Sequence, residues 1–176
     1  MKNPSQNVQP FIAYLQSLAE KQDRGALAAL RRGLGQPPGS VPDTFRYVEP
    51  WLPEKRSANL ESAYYLVASL FALHPKSTSM GNIGSHLRAC NPTRENDDAL
   101  ERRFTALLKA HIDDLPGYLQ QAVSFLKSKE EPVNWNELLW DLQNWDYRRD
   151  DPRRSVQKKW GSAFWGGAGT AEESTV

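Results

Sequence analysis

Residues 145–165, WDYRRDDPRRSVQKKWGSAFW, contain the pattern that decides the fold. Val156, Trp160 and Phe164 recur every four residues, which places them on one face of an α-helix. Asp151 is the expected N-cap and Pro152 the expected first helical residue, since proline lacks a backbone donor that this position leaves unpaired. The stretch therefore predicts a closing helix with one apolar face that packs against a core.

Another face of this predicted helix carries cations. Arg154 and Lys158 are four residues apart and so share a face. Guanidinium and ammonium groups on a rigid helix suit a phosphate backbone. A solvated surface explains the same charges without any partner, so both interpretations stay open. The cations of the stretch are Arg148, Arg149, Arg153, Arg154, Lys158 and Lys159.

The rest of the chain repeats the helical pattern. Apolar residues keep a spacing of three and four residues in successive segments, and no segment alternates with period two. Asp23, Ser57, Asn134 and an Asn91-Pro92 pair mark expected helix starts. The sequence predicts an all-α fold of eight or nine helices without a sheet. It also predicts one domain over 1–165, possible lobes at 8–75 and 92–165, an exposed loop at 76–82 and a disordered tail at 166–176.

Charge is unevenly distributed along the chain. The 176 residues have a formal net charge of only +1, so no global field indicates nucleic acid. The interval 23–46, however, holds four arginines and two aspartates. Arg24 and Arg31 are seven residues apart, which places both on one helix face. A near-neutral total therefore conceals a dipolar surface.

Residue usage also predicts the compartment. Cys90 is the single cysteine, so no disulfide can form within the chain, which fits a reducing cytosol. The N-terminal residues lack the charged start and apolar run of a signal peptide. Apolar stretches fall short of the ~20 residues that a membrane helix needs. We expect a soluble cytoplasmic protein with no membrane contact.

Candidate catalytic groups are sparse. His86 and Cys90 could share a helix face, but a zinc site usually has four ligands, and two more are not identifiable. His111 falls on an apolar stripe and is expected to be a buried core histidine. Paired acids sit at helix starts, where the helix dipole explains them without catalysis. We therefore predict no catalytic residue, no metal site and no cofactor, and keep a small metal nuclease as a minor alternative.

Five stretches, taken in order, resemble the CasB family, the small subunit of the type I-E CRISPR Cascade complex. They are ALRRG (29–33), DTFRYVEPW (43–51), MGNIGSHLRACN (80–91), ERRFTALLKA (101–110) and VNWNELLWDLQNWDYRRDDPRRSVQKKWGSAFW (133–165). The resemblance implies a small helical protein without an active site. It also implies assembly as a pair beside the guide RNA, the backbone subunits and the large subunit.

The same resemblance implies that basic residues hold the target and displaced DNA strands apart. The positions that match the family's basic residues are Arg31, Arg32, Arg46, Lys76, Arg88, Arg148 and Arg149. Arg153, Arg154, Lys158 and Lys159 are assigned by charge alone, and Arg24 by the face it shares with Arg31. The rival hypothesis is a purely structural bridge between other subunits, formed by Trp140, Trp165 and neighbouring apolar residues.

Overall fold

The computed structural model describes residues 9–146 and 151–167 as a set of nine α-helices. Short 3-10 helices at Pro42–Thr44, Glu49–Trp51 and Pro152–Arg154 lie between them. Across these described ranges, the only strand-like pairing is an isolated bridge from Ser77 to Val133, so the predicted all-α class is confirmed. The helices are α1 (Pro10–Glu20), α2 (Arg24–Arg31), α3 (Phe45–Val48), α4 (Ala58–Leu73), α5 (Ile83–Ala89), α6 (Asp98–Lys109), α7 (Leu115–Ser128), α8 (Trp135–Gln143) and α9 (Val156–Trp165).

Side-chain caps fix several helix starts. Asp23 accepts a hydrogen bond from the Ala26 amide at 3.0 Å, and Ser57 accepts one from the Leu60 amide at 3.2 Å. Asn134 does the same for Glu137 at 3.1 Å. Each bond satisfies a backbone donor that the first helical turn leaves free. The three helix starts predicted at these residues are confirmed.

Two other predicted starts are wrong. α9 begins at Val156, where Ser155 caps the Lys158 amide at 3.1 Å. Asp151 instead precedes a separate 3-10 turn, and its carboxylate lies 3.6 Å from Arg154 Nε. Likewise, α6 begins at Asp98 and not at the Asn91-Pro92 pair. Asn91 donates from its side-chain amide to Asp97 at 2.7 Å and so holds a turn ahead of the helix.

α4 lies at the centre of the core. It packs against α2, α7 and α8, and nine of its sixteen residues are buried. Because α4 belongs to the range 8–75 while α7 and α8 belong to 92–165, the two predicted lobes share one core. The lobe limits themselves stay a prediction. Of the predicted tail, only Gly166 and Gly167 lie within the described residues.

α9 closes the fold against α5, α6 and α8. The predicted apolar stripe of Val156, Trp160 and Phe164 is buried. α5 approaches α9 so closely that a methyl group at Gly84 would overlap the Trp160 carbonyl oxygen. Trp145 packs on Trp160 with ring centroids 5.2 Å apart. In the described part of the chain, no helix combines the length and apolarity needed to cross a membrane.

Candidate nucleic-acid interface

The arginines predicted between residues 24 and 46 lie around α2 and α3. Arg24, Arg31, Arg32 and Arg46 are all exposed. Arg32 Nη1 lies 3.0 Å from the Asp43 carboxylate, which ties the end of α2 to the 3-10 turn ahead of α3. Both partners of this pair are more than half exposed, so water screens it and a competing anion can displace it. We call these four arginines the α2–α3 cationic group.

Aromatic rings lie beside this group. The Arg46 guanidinium carbon sits 5.2 Å from the centre of the Tyr47 ring. Tyr14 stacks on Trp51 with centroids 4.8 Å apart. Burial raises the pKa of Tyr14, helped by Tyr47 and Asp23, while the charge of Arg46 acts to lower it. The Tyr14–Trp51 stack therefore joins α1 to the 3-10 helix that follows α3.

Lys76 lies near the same surface because of one backbone contact. Arg31 Nη1 donates to the Ala72 carbonyl oxygen at 3.1 Å. Ala72 is four residues before Lys76, so their Cα atoms are at most roughly 14 Å apart. Lys76 is exposed, and its carbonyl oxygen accepts from the Val133 amide at 3.0 Å. The loop predicted at 76–82 is thus solvent-facing at its tip, yet its base is fastened to the segment before α8.

Arg88 has a different environment from the other predicted contacts. Its side chain is only 12% exposed and lies 2.8 Å from the Asp97 carboxylate. It also donates to the carbonyl oxygens of Phe164 at 3.0 Å and Asn91 at 2.9 Å, and it covers the Phe164 ring at 4.1 Å. These contacts use its donors inside the fold. In the structure, Arg88 therefore joins α5, α9 and the turn before α6.

The contacts with Arg88 also change the pKa of the Asp97 carboxyl group. Burial alone would raise the pKa of its carboxyl group, but hydrogen bonds from Arg88 and Asn91 outweigh burial and hold the pKa below its ordinary value. Asp97 is therefore ionised at neutral pH and remains paired with Arg88. The pair satisfies a buried charge that would otherwise oppose folding.

The cations of the closing stretch divide in two. Arg153 and Arg154, in the 3-10 helix before α9, and Lys158, in the first turn of α9, are exposed. Lys159, by contrast, donates to Glu137 at 2.6 Å and to Asp141, so it holds α9 to α8. Neighbouring lysines thus have different roles. The predicted residues Arg148 and Arg149 lie outside the described residues.

Asp141, one of the two carboxylates that accept from Lys159, is buried. Asp141 is 1% exposed, and the Trp160 indole N–H donates to it at 2.7 Å. Burial raises the pKa of Asp141 to about 6, while Lys159 acts in the opposite direction. Burial acts to lower the pKa of Lys159, but the Asp141 carboxylate outweighs it and the pKa is raised. At neutral pH both groups are charged, and the pair fixes the orientation of α9.

Lys76 lies near the start of α8, whereas Lys158 lies near its end. The Trp135 indole, at the first residue of α8, donates to the Lys76 carbonyl oxygen at 3.3 Å. Gln157, one residue before Lys158, donates to the Trp145 carbonyl oxygen just beyond the end of α8 at 3.2 Å. Ten residues separate Trp135 from Trp145, and a helix of that length spans roughly 15 Å. A single nucleic-acid strand readily covers that distance, since it rises roughly 3.4 Å per nucleotide in a duplex.

The histidines differ from the prediction. His111 is exposed beside Asp113, at 3.3 Å, so its expected burial was wrong. His111 follows the end of α6, and the apolar periodicity was extended past that end. His86 is instead the buried one: its Nε2 accepts from the Asn134 amide at 3.1 Å, and burial lowers its pKa to about 4. Among the described residues, no cluster of three or more histidine, cysteine, aspartate or glutamate side chains could hold a metal ion.

Comparison with known proteins gives a consistent family. The model of the family described as "CRISPR-associated protein Cse2" matches residues 26–165. A protein of that name from Thermus thermophilus is 36% identical over 134 residues, which is 75% of this chain and 76% of the relative.

Solved structures agree. A crystal structure of a Cse2-family protein from Thermus thermophilus matches with a TM-score of 0.76 and 32% identity, covering 93% of this chain and 98% of that one. A chain of a structure described as a CRISPR RNA-guided surveillance complex matches with a TM-score of 0.69 and 26% identity, covering 88% of this chain and 92% of that one. The family match over most of the sequence, together with this shared fold, shows that the chain belongs to the Cse2 family of CRISPR-associated proteins, also called CasB.

Proposed function

We propose that this chain is a non-catalytic, cytoplasmic subunit of a CRISPR RNA-guided surveillance complex and that it stabilises an opened DNA target. In this proposal it lies beside the guide RNA and the other protein subunits and pairs with a second copy. The observation that carries the proposal is the α2–α3 cationic group, whose four arginines stay exposed around one pair of helices. The fold match to a chain of such a complex supports the assignment of the partners.

The exposed cations suit contact with the sugar–phosphate backbone. Phosphates carry no sequence information, so a set of exposed arginines and lysines can hold any target strand. Opening a duplex while the guide RNA pairs is close to energetically balanced, and modest contacts to the separated strands can shift that balance. A non-catalytic role needs nothing more from the protein than positive charge in a fixed place.

Two sets of residues make up the proposed surface. The first is the α2–α3 cationic group with Lys76, since Arg31 contacts the last turn of α4 and Lys76 follows that helix by three residues. The second consists of Arg153 and Arg154, in the 3-10 helix before α9, and Lys158, in the first turn of α9. Arg148 and Arg149, in the segment just before it, remain predicted members. Arg88 is left out, because its donors are occupied inside the fold.

A test compares two triple charge reversals in the reconstituted complex. The first variant carries Arg24→Glu, Arg32→Glu and Arg46→Glu. The matched control carries Arg102→Glu, Arg103→Glu and Lys109→Glu, three cations that are equally exposed but lie on α6. Both variants change the net charge by the same amount, so any difference between them reports the location of the charge. The measurement is the yield of target opening across a range of salt concentrations.

The α2–α3 variant should open less target and show a weaker dependence on salt. Each lost contact to a single strand removes about 0.7 from the logarithmic salt slope, so three contacts remove roughly 2. The α6 variant should keep the wild-type slope. Equal losses in both variants, or a wild-type slope in the first, would contradict the proposed surface.

A second candidate function is a structural bridge between other subunits. It is favoured by Trp140, which is exposed on α8, and by an apolar groove between α6 and α7 that exposes Tyr118. Trp165 contributes less, because it packs on Phe104 and donates to Glu101. The bridge predicts that Trp140→Ala lowers incorporation of the subunit into the complex, while the charge reversal of the α2–α3 group leaves target opening unchanged.

A further inference from the structure

One large aromatic ring of the α2–α3 region is left facing solvent. Phe45, the first residue of α3, is 38% exposed, whereas most large apolar side chains in the described residues are buried. Its ring meets the Tyr65 ring at an angle of 72°, with centroids 6.0 Å apart. Phe45 is thus held along one side and open on another.

The support beneath Phe45 is itself fixed. The Tyr65 hydroxyl donates to the Glu49 carboxylate at 2.5 Å. Arg56 also donates to that carboxylate, at 3.3 Å, and to Glu61 at 2.9 Å. This chain of contacts leaves Tyr65 little freedom to turn. The contact with this fixed ring restrains Phe45 before any partner binds, which lowers the entropy cost of binding.

Cations flank the exposed ring. Arg46 follows Phe45 directly and is held over Tyr47 at 5.2 Å. Arg32 reaches Asp43, two residues before Phe45, at 3.0 Å. The Asp43 carboxylate repels anions, but its pair with Arg32 is exposed and weak, so a phosphate can replace it. An exposed aromatic ring with one cation at the next residue and another paired two residues before it suits the alternation of base and phosphate in a single strand.

We propose that Phe45 is a stacking platform for one unpaired base of a single DNA strand, with Arg46 and Arg32 on the neighbouring phosphates. The inference rests on the proposed function and adds to it a site for the bases themselves. Bases inside a duplex are stacked on each other and cannot use the platform. The contact therefore favours separated strands over paired ones. Contacts to the sugar–phosphate backbone alone discriminate less between the two, because both carry phosphates.

The test uses the full chain and a fluorescently labelled oligothymidylate at low salt. Phe45→Leu keeps an apolar side chain but removes the π-face, and Phe45→Trp restores an aromatic face. Stacking on an aromatic side chain changes affinity by roughly 5- to 150-fold per base. We expect Phe45→Leu to lose at least about fivefold in affinity with an unchanged salt slope, and Phe45→Trp to bind at least as well as the wild type.

Binding to a strand that lacks bases distinguishes stacking from a purely structural role of Phe45. On an abasic strand of equal length, the wild type and Phe45→Leu should bind equally, because no base is present to stack. Thermal unfolding of both variants checks that the fold is intact. The inference is overturned if Phe45→Leu binds oligothymidylate like the wild type, if Phe45→Trp loses as much as Phe45→Leu, or if the loss persists on the abasic strand.

Failure of the proposed function looks different. If the wild-type chain shows no salt-dependent binding to the single strand, the backbone contacts are wrong and the platform is rejected with them. If salt-dependent binding is present but indifferent to the ring at position 45, only the stacking inference is wrong. In that case an apolar contact of Phe45 with a neighbouring protein subunit becomes the better explanation.

Discussion

Arginines in two regions of this molecule have opposite environments. Around α5 and α9, Arg88 is 12% exposed and its donors are taken by a carboxylate and two carbonyl oxygens. Around α2 and α3, Arg32 is 62% exposed and meets one exposed carboxylate. Arg88 lies on a short helix, and Arg32 directly follows one. A cation is available to a partner only where the fold has not already supplied it with buried acceptors.

The comparison extends to neighbouring positions. Lys158 and Lys159 are adjacent, yet Lys158 is exposed while Lys159 is held between Glu137 and Asp141. A helix turns by about 100° per residue, so consecutive side chains face different surroundings. Four changes test this contrast between the α5–α9 region and the α2–α3 region.

The largest effect is expected for Arg88→Ala. The substitution removes the cation paired with the buried Asp97 carboxylate, which keeps only the Asn91 amide as a donor, and it removes the side-chain donor to the Phe164 carbonyl oxygen. Breaking a buried ion pair from one side costs about 3–5 kcal/mol of the free energy of unfolding. Urea denaturation measures this free energy. The stability of Arg88→Lys should lie between those of the wild type and Arg88→Ala, since one ammonium group cannot replace every guanidinium contact. A loss below about 1 kcal/mol would place Arg88 with the exposed arginines.

Lowering the pH should reduce the free energy of unfolding, because His86 of α5 is buried in its neutral form. Its pKa is lowered to about 4 in the folded protein, so the unfolded chain binds the extra proton from pH 6.5 downward. Stability from His86 is complete above pH 6.5, and about 3 kcal/mol of it is lost by pH 4. The Glu131 carboxylate lies 4.0 Å from Nδ1 of the ring, while the Cys90 thiol donates to the His86 backbone carbonyl oxygen.

The control for His86 is His86→Gln, which offers a neutral acceptor to the Asn134 amide. The difference in unfolding free energy between wild type and variant should shrink as pH falls from 6.5 to 4. The raised pKa of Asp141 gives a slope of opposite sign, but it is common to both proteins and cancels in the difference. A difference that stays constant with pH would mean that His86 is protonated in the fold.

A smaller loss is expected for Gly84→Ala, which tests the close approach of α5 to α9. The added methyl group overlaps the Trp160 carbonyl oxygen, so the helices must separate. Overpacking of this kind costs about 1–3 kcal/mol. The matched control is Gly117→Ala in α7, where the new methyl group meets nothing within 4 Å. There the change should stabilise by about 0.5–1 kcal/mol, because alanine is the better helix former.

The smallest effect on stability is expected for Arg32→Ala in the α2–α3 region. The exposed pair with Asp43 contributes at most about 1 kcal/mol, so the thermal midpoint should barely move. Target opening by the reconstituted complex should nevertheless lose about 0.7 from its salt slope. A large loss of stability with an unchanged slope would reverse the contrast drawn between the two regions.

Sequence patterns predicted the helices better than their ends. The apolar stripe of α9 and the caps at Asp23, Ser57 and Asn134 follow from local periodicity and local hydrogen bonds, and all are observed. The starts of α6 and α9 were misplaced because a proline beside a polar residue also begins a turn or a 3-10 helix.

The candidate site was predicted in part. The exposure of the α2–α3 arginines agrees with their charge pattern, although their contact with DNA stays a prediction. The internal role of Arg88 depends on Asp97, on Phe164 and on an approach of α5 to α9 across about 80 residues of sequence. The sequence around Arg88 contains no pattern that predicts such a contact. His86 was missed for the same reason, because its burial is set by Asn134, far along the chain.

Sequence alone determined that this protein is helical, which faces of its helices are apolar and where positive charge is concentrated, because periodicity and composition act over a few residues. Tertiary structure alone decided which cations remain available. Burial removes water from a charged side chain and forces it to find partners inside the protein. Arg88 and Lys159 found them on other helices, whereas Arg32 and Lys158 stay in contact with solvent.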